Sequence, residues 1–380
     1  SMRLNFQLIR PDVPPLVVKP KFKLIFGLLF LLSGLTALSM LAGCASPSYY
    51  VQAIRGHYSI MNNRQKIQQI LEDGGASPTL ARELELAVEI RNFASLRLDL
   101  PRNDSYTEYV HTGQNAVTWN VVATGEFSLQ PKLWCFLVAG CVPYRGYFAE
   151  RDAEKFADRL RRKSFDVIVS PAIAYSTLGW FDDPLLDTML RYREEQLAGV
   201  IFHELAHQQL YVKNDARFNE SYAGFVEEIG VEAWLIETGR ESLLVRWRAL
   251  SRAASQFNSL LIETRDALLE VYGSNETKAV MRLKKRTIFA EMNVQYDRLV
   301  NGEWNGENYF KSWFDRDLNN ARLALIDSYR GGRCAFKNLY EMAGRDIVQF
   351  QRMAAQKASL NQKQRTAWLG QTCEANSTGR

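Results

Sequence analysis

The sequence predicts an α+β protein in which a small mixed-sheet lobe leads into a mostly helical lobe. Two observations carry this. Between residues 106 and 148, segments rich in Tyr, Val, Thr, Trp and Phe alternate with turn residues, the pattern of short strands. After Pro184 the apolar residues recur at helical spacing almost without interruption to about residue 357. The 380-residue chain is 47% hydrophobic and 23% charged, a composition that supports a sizeable core. It shows no repeat of fixed period.

In chain order, the first feature is a leader. Lys19, Lys21 and Lys23 precede an uncharged run from Leu24 to Met40, which ends in Leu41-Ala42-Gly43-Cys44. A basic flank, an apolar stretch and a small-residue cleavage site describe a secretory signal peptide over residues 1–43. Leu-Ala-Gly-Cys resembles a bacterial lipobox. That resemblance implies cleavage before Cys44, lipidation of that cysteine and a membrane tether for a periplasm-facing protein of the bacterial envelope. Ala45 after the cysteine implies sorting to the outer membrane. The alternative for the same residues is a retained transmembrane anchor, since about 20 apolar residues can span a bilayer.

The leader also carries most of the charge. Residues 1–43 hold five basic residues and one acid, a net of +4, so the formal +5 of the chain falls to about +1 after cleavage. A nearly neutral mature protein lacks the basic footprint of a nucleic-acid partner. Four cysteines remain after Cys44, and an even number in an oxidising compartment predicts two disulfides. The expected pairs are Cys135 with Cys141, closing a small loop, and Cys334 with Cys373, pinning the tail.

The mature chain, 44–380, reads as one domain with its sheet-containing lobe over about 44–184 and its helical lobe over about 185–380. Residues 48–73 and 79–97 read as helices, broken at Gly74-Gly75-Ala76-Ser77-Pro78. Segments 106–112, 116–125 and 133–148 are the strand region, 149–163 a charged helix, and Val167-Ile168-Val169 a short strand. His111 reads as a strand histidine without a metal role. Helices from 241 to 300, with Lys284-Lys285-Arg286, read as amphipathic packing with a solvated face.

The chemistry concentrates at His203-Glu204-Leu205-Ala206-His207. On a helix, positions i and i+4 are about 400° apart, so both imidazoles leave one face a turn apart, as two ligands of one zinc ion require. Glu204 is about 100° round from His203, within reach of a metal-bound water. Residues 196–202 run in without a charge, as a helix set in a core should. The pattern predicts a zinc site in which Glu204 activates water, with a third ligand from elsewhere. Asn214-Asp215 signals a turn, so a second helix should return antiparallel and offer Glu220 and Glu227, which share a face. Spacing from the turn points midway between them. Ala223 and Gly224 are small and should let the helices approach. A closed structural zinc site, in a non-catalytic scaffold, would need a fourth protein ligand, and no Cys or His follows at suitable spacing.

His-Glu-x-x-His followed by Asn219-Glu220-Ser221-Tyr222-Ala223-Gly224-Phe225-Val226-Glu227 resembles the gluzincin metallopeptidases, and the second segment is similar to the second zinc helix of aminopeptidase N-type enzymes. The resemblance implies Glu220 as the third ligand and Glu227 as its neighbour behind the site. His207 to Glu220 is 13 residues, shorter than the connection in those enzymes, whereas Glu227 stands near the thermolysin-type distance and is the alternative ligand. The chain is also similar to a bacterial family of predicted aminopeptidases carried on lipoproteins. The shared segments are the lipobox, Trp134-Cys135 to Cys141-Val142-Pro143-Tyr144-Arg145-Gly146-Tyr147-Phe148, Tyr175 to Pro184, the two zinc helices and Asn319-Asn320-Ala321-Arg322-Leu323. These resemblances imply a Zn2+ peptidase acting on peptides, an aminopeptidase first and an envelope endopeptidase second. They imply a substrate-pairing strand at Ser176, Thr177 and Leu178, and Tyr329 as a hydrogen-bond donor to the developing oxyanion. Arg145 is either structural or a partner for a substrate carboxylate. Glu227, Glu228, Asp182 and Asp183 are the acids available to receive a free amine.

Overall fold

The structure, a computed structural model, describes residues 47–136, 140–174, 182–315, 318–324 and 332–373. The leader over 1–43, Cys44, Ser176, Thr177, Leu178 and Tyr329 lie outside these residues.

Helix α1 (Pro47–Asn62) ends at a pair of asparagines, residues that favour caps over helix interiors. The Asn63 side-chain amide donates to Ser59 O at 2.7 Å. The helix expected over 48–73 is therefore two. Strand β1 (Gln65–Lys66) intervenes and pairs with β2 (Glu108–Val110) before α2 (Ile67–Glu72) begins. Helix α3 (Pro78–Arg97) starts where the Ser77 hydroxyl accepts from the Leu80 amide, with proline in its first turn.

The strands form two three-stranded sheets and a ribbon rather than one sheet. In the first, β2 lies between β1, antiparallel to it, and β8 (Leu185–Leu186), parallel to it. In the second, β3 (Thr118–Gly125) lies between β6 (Arg145–Tyr147) and β7 (Phe165–Ala172), both antiparallel. The ribbon of β4 (Trp134–Phe136) and β5 (Gly140–Val142) sets Cys135 opposite Cys141, and the two form the expected disulfide. Strand β7 has eight residues where three were expected. Asp166, Ser170 and Pro171 are poor strand formers, but each has a partner in β3, and pairing overrides local preference. Pro171 is tolerated because β7 is the edge of its sheet. Helix α4 (Glu150–Arg161) lays Ala153, Ala157 and Leu160 against Val121, Ala123, Val167 and Val169.

From residue 194 on, helices dominate as predicted: α5 (Glu194–Gln209), α6 (Ala216–Glu237), α7 (Glu241–Tyr272), α8 (Lys278–Arg298) with a π turn at Leu299–Glu303, then α9 (Lys311–Phe314), α10 (Asn320–Leu323), α11 (Arg333–Met342), α12 (Ile347–Ala358) and α13 (Gln362–Leu369). The second expected disulfide, Cys334 to Cys373, ties the start of α11 to the chain beyond α13. The largest core joins α3, β2, β8, α5, α6 and α11 to α13. A separate core fills the α7–α8 hairpin and the segments up to α10. No helix among the described residues is long and apolar enough to cross a membrane.

Candidate metal centre

The histidines sit on a helix buried along most of its length. Leu197, Ala198, Ile201, Phe202, Leu205 and Ala206 on α5 are each 3% exposed or less, so the imidazoles project from an apolar wall. Helix α6 returns antiparallel: Gly199 meets Glu227, and His207 meets Glu220. The turn between them places Asn214 at φ +62, a left-handed conformation that asparagine tolerates. Asp215 caps α6, its Oδ1 accepting from the Phe218 amide at 3.1 Å. Arg365 on α13 donates to the other oxygen of Asp215 at 2.7 Å. Asn219, 1% exposed, sets the register. Its amide donates to Val212 O at 2.9 Å and its Oδ1 accepts from Val212 N at 2.8 Å. These bonds clasp the first turn of α6 to the incoming chain and leave the next residue, Glu220, facing α5.

The close approach of the two helices is not at Gly224. A Cβ there would meet nothing within 4 Å, whereas one on Gly199 would lie 3.0 Å from Glu227 Oε1 and one on Gly230 3.0 Å from Phe202. Residues 220, 223, 227 and 230 form the stripe toward α5, and Gly224 is about 80° from its centre.

Within this setting three groups converge. His203 Nε2 lies 3.1 Å from His207 Nε2 and 3.4 Å from Glu220 Oε2, and His207 Nε2 lies 3.6 Å from Glu220 Oε1. The two Glu220 distances run to different oxygens; one ligand atom from each of the three residues lies within 4.8 Å of the others, close enough for the three to hold a metal ion together. Behind them, His203 Nδ1 is 3.0 Å from Glu227 Oε2. A carboxylate accepts, so Nδ1 carries a proton; whenever the ring is neutral, Nε2 is then the unprotonated nitrogen, and it faces His207 and Glu220. The geometry thus gives both glutamates a place: Glu220 with the two Nε2 atoms, Glu227 on the far side of His203.

Burial and charge oppose one another within this cluster. Burial pulls the His203 pKa down, yet hydrogen bonds to Glu220 and Glu227 and the charges of Glu227 and Glu204 raise it to about 10. His207, desolvated and beside His203, falls to about 4 despite Glu220. Burial pushes the Glu220 carboxyl up, but the His203 hydrogen bond and the charges of both histidines bring it below its ordinary value.

Glu204, half-buried, has two tyrosines within electrostatic reach. Tyr106 is 1% exposed, adopts φ +64 and has a buried hydroxyl with no hydrogen-bond partner among the described residues. Burial and then the charges of Glu204 and Asp183 push its pKa well up, against Arg91. Tyr144, in the β5–β6 turn and 40% exposed, is raised by desolvation of its hydroxyl and by Glu220, Tyr211 and Glu204. The Tyr211 ring lies 6.3 Å from that of His207. Asp183 braces this side: its carbonyl accepts from Tyr106 N at 2.7 Å, its amide donates to Ser105 Oγ at 3.2 Å, and Gln208 on α5 donates to its carboxylate at 3.3 Å. Tyr106 and Tyr144 carried no signal in the sequence reading. Tyr211 did not either: α5 ends at Gln209, so helical periodicity does not carry on to it.

Other candidates are placed elsewhere. Arg145 is 8% exposed, its guanidinium 4.1 Å from the Tyr49 ring and 4.5 Å from that of Phe156, so it is structural. Glu228 pairs with Arg333, and His111 lies against Asp187 at 2.9 Å. Of the acids available for an amine, Glu227, Glu228 and Asp183 already hold other partners.

One family's sequence model matches residues 48–369, from α1 to the end of α13. That family is described as "Putative aminopeptidase". The chain belongs to it. No curated protein and no solved structure matches the chain. Membership of this aminopeptidase family points to peptidase activity on peptide substrates, and the match spans both helices of the centre and the turn that carries Tyr144.

Proposed function

We propose that the chain is a zinc-dependent peptidase, an aminopeptidase on short peptides, tethered to the bacterial envelope by a lipid on Cys44. The convergence of His203, His207 and Glu220, with one ligand atom from each within 4.8 Å of the others, carries the metal reading. His203, His207 and Glu220 would hold the ion, and Glu227 fixes the His203 tautomer, as carboxylates behind zinc-bound histidines do. Bound zinc supplies Lewis acidity toward a peptide carbonyl and makes water nucleophilic near neutral pH. Glu204 takes the proton of the attacking water and delivers it to the leaving amine. The Tyr144 hydroxyl, within electrostatic range of Glu204 and Glu220, is a candidate donor to the developing oxyanion. The leader over residues 19–45 supports a periplasm-facing lipoprotein, sorted to the outer membrane.

Glu204→Gln tests the reading. Peptide hydrolysis should fall by about 10²–10⁴-fold while zinc content stays at the wild-type value; a variant that still cleaves peptides removes Glu204 from the mechanism. An aminopeptidase should also fail on N-acetylated peptides, and equal cleavage of free and blocked ends would move the assignment to an envelope endopeptidase.

A further inference from the structure

Exposed positions along α1 recur at intervals of three and four from Ser48 to Asn62, so they form one face. Its middle holds Val51, Ile54 and Tyr58, 46%, 66% and 66% exposed, with Arg55 beside them. The helix contains no acidic residue. Its opposite side is locked to the protein. Tyr49 covers the Arg145 guanidinium and stacks on Phe136 at 5.2 Å. Gln52 accepts from the Phe148 amide at 3.1 Å, and the Phe148 ring fills the space beside Gly56 so closely that a Cβ there would be 2.2 Å from it. The helix cannot roll to hide its apolar stripe.

The position of α1 in the chain says what covers that stripe. Cys44 stands three residues before Pro47. An extended chain spans at most about 3.5 Å per residue, so α1 begins within roughly 10 Å of the lipidated residue. An acid-free helix held there, with aliphatic residues, a tyrosine and an arginine facing out, has the character of a helix lying in a membrane interface. We infer that the Val51–Ile54–Tyr58 face of α1 rests on the lipid bilayer, as a second membrane contact beside the acyl chain. The inference builds on the lipoprotein reading of Cys44. Because Tyr49 and Gln52 grip β6 and Phe148, next to the turn that carries Tyr144, the same contact holds the metal centre in one orientation above the membrane.

Photo-crosslinking of the full chain in the membranes of producing cells tests this, with p-benzoylphenylalanine replacing Ile54 or, as control, Leu283 on α8, which is 57% exposed. A phospholipid adduct is expected at position 54 and its loss at 283. No lipid adduct at 54, an adduct there to another protein instead, or equal lipid adducts at both positions overturns the inference. The mass of the N-terminal peptide from the same sample reports acylation separately. Acylated Cys44 without a lipid adduct at 54 removes the helix contact alone, whereas an adduct at 54 on unacylated protein keeps the contact and removes the anchor.

Discussion

The pairs α5–α6 and α7–α8 are both joined by short turns, yet their contact faces differ in kind. Between α7 and α8 the seam is apolar: Phe257, Leu260, Leu261 and Leu268 share a core with Phe289, Met292 and Tyr296. Between α5 and α6 the seam holds two histidines and two glutamates among Phe202, Leu205, Ala206 and Ala223. Desolvating such groups is unfavourable unless each finds a partner. Here Glu227 satisfies one side of His203, and the other side faces His207 Nε2 and Glu220. The apolar seam supplies stability, and the polar seam gathers three groups that could hold a metal ion.

Four expected outcomes bear on this difference. The largest is for Phe257→Ala, which empties part of the α7–α8 seam from a site 5% exposed. It should cost about 3–5 kcal/mol of stability in chemical denaturation with the zinc-to-protein ratio unchanged; concurrent loss of zinc would erase the distinction between the seams. Next is Glu227→Gln. Competition with a chelator should show zinc affinity lower by about 10–100-fold, while the zinc-free protein unfolds much as before. Unchanged affinity would mean that Glu227 does not support His203.

Zinc binding should also release protons. With its pKa raised to about 10, His203 is protonated at pH 7 in the metal-free cluster, and His207, at about 4, is already neutral. A metal requires both rings neutral, so affinity should rise by about tenfold per pH unit above 7, flattening near the His203 pKa. Calorimetry in buffers of different ionisation heat measures this, and heats independent of buffer would contradict it. The smallest effect is for Val294→Ser, on the solvated side of α8 and 51% exposed. Its stability should stay within about 0.5 kcal/mol of wild type.

Features that follow from local periodicity were legible in the sequence. The two histidines share a face because four residues make about one helical turn, and α5, α6, α7 and α8 appear where apolar spacing placed them. Both disulfides were legible from the even cysteine count, with a small loop for Cys135 and Cys141 and a pinned tail for Cys334 and Cys373. Features that depend on pairing were not. Propensity alone could not extend β7 to eight residues or divide the strands between two sheets, because partner strands supply those preferences.

The choice between Glu220 and Glu227 shows where the boundary lies. By itself the sequence determined that both glutamates share one face of α6 and that a turn near 214 returns this face to the histidines. Only the tertiary structure decided where each of them stands relative to the histidines. The Asn219 clasp on Val212 and the Arg365 hold on Asp215 set the register between helices to within a residue, and so put Glu220 beside the two Nε2 atoms and Glu227 at Nδ1 of His203. Tyr106 and Tyr144 reach the same centre from the sheet half, which local periodicity does not link to α5. The physical reason is one of range. Helical spacing acts over a few residues, whereas register and side-chain convergence arise from contacts between segments far apart in the chain.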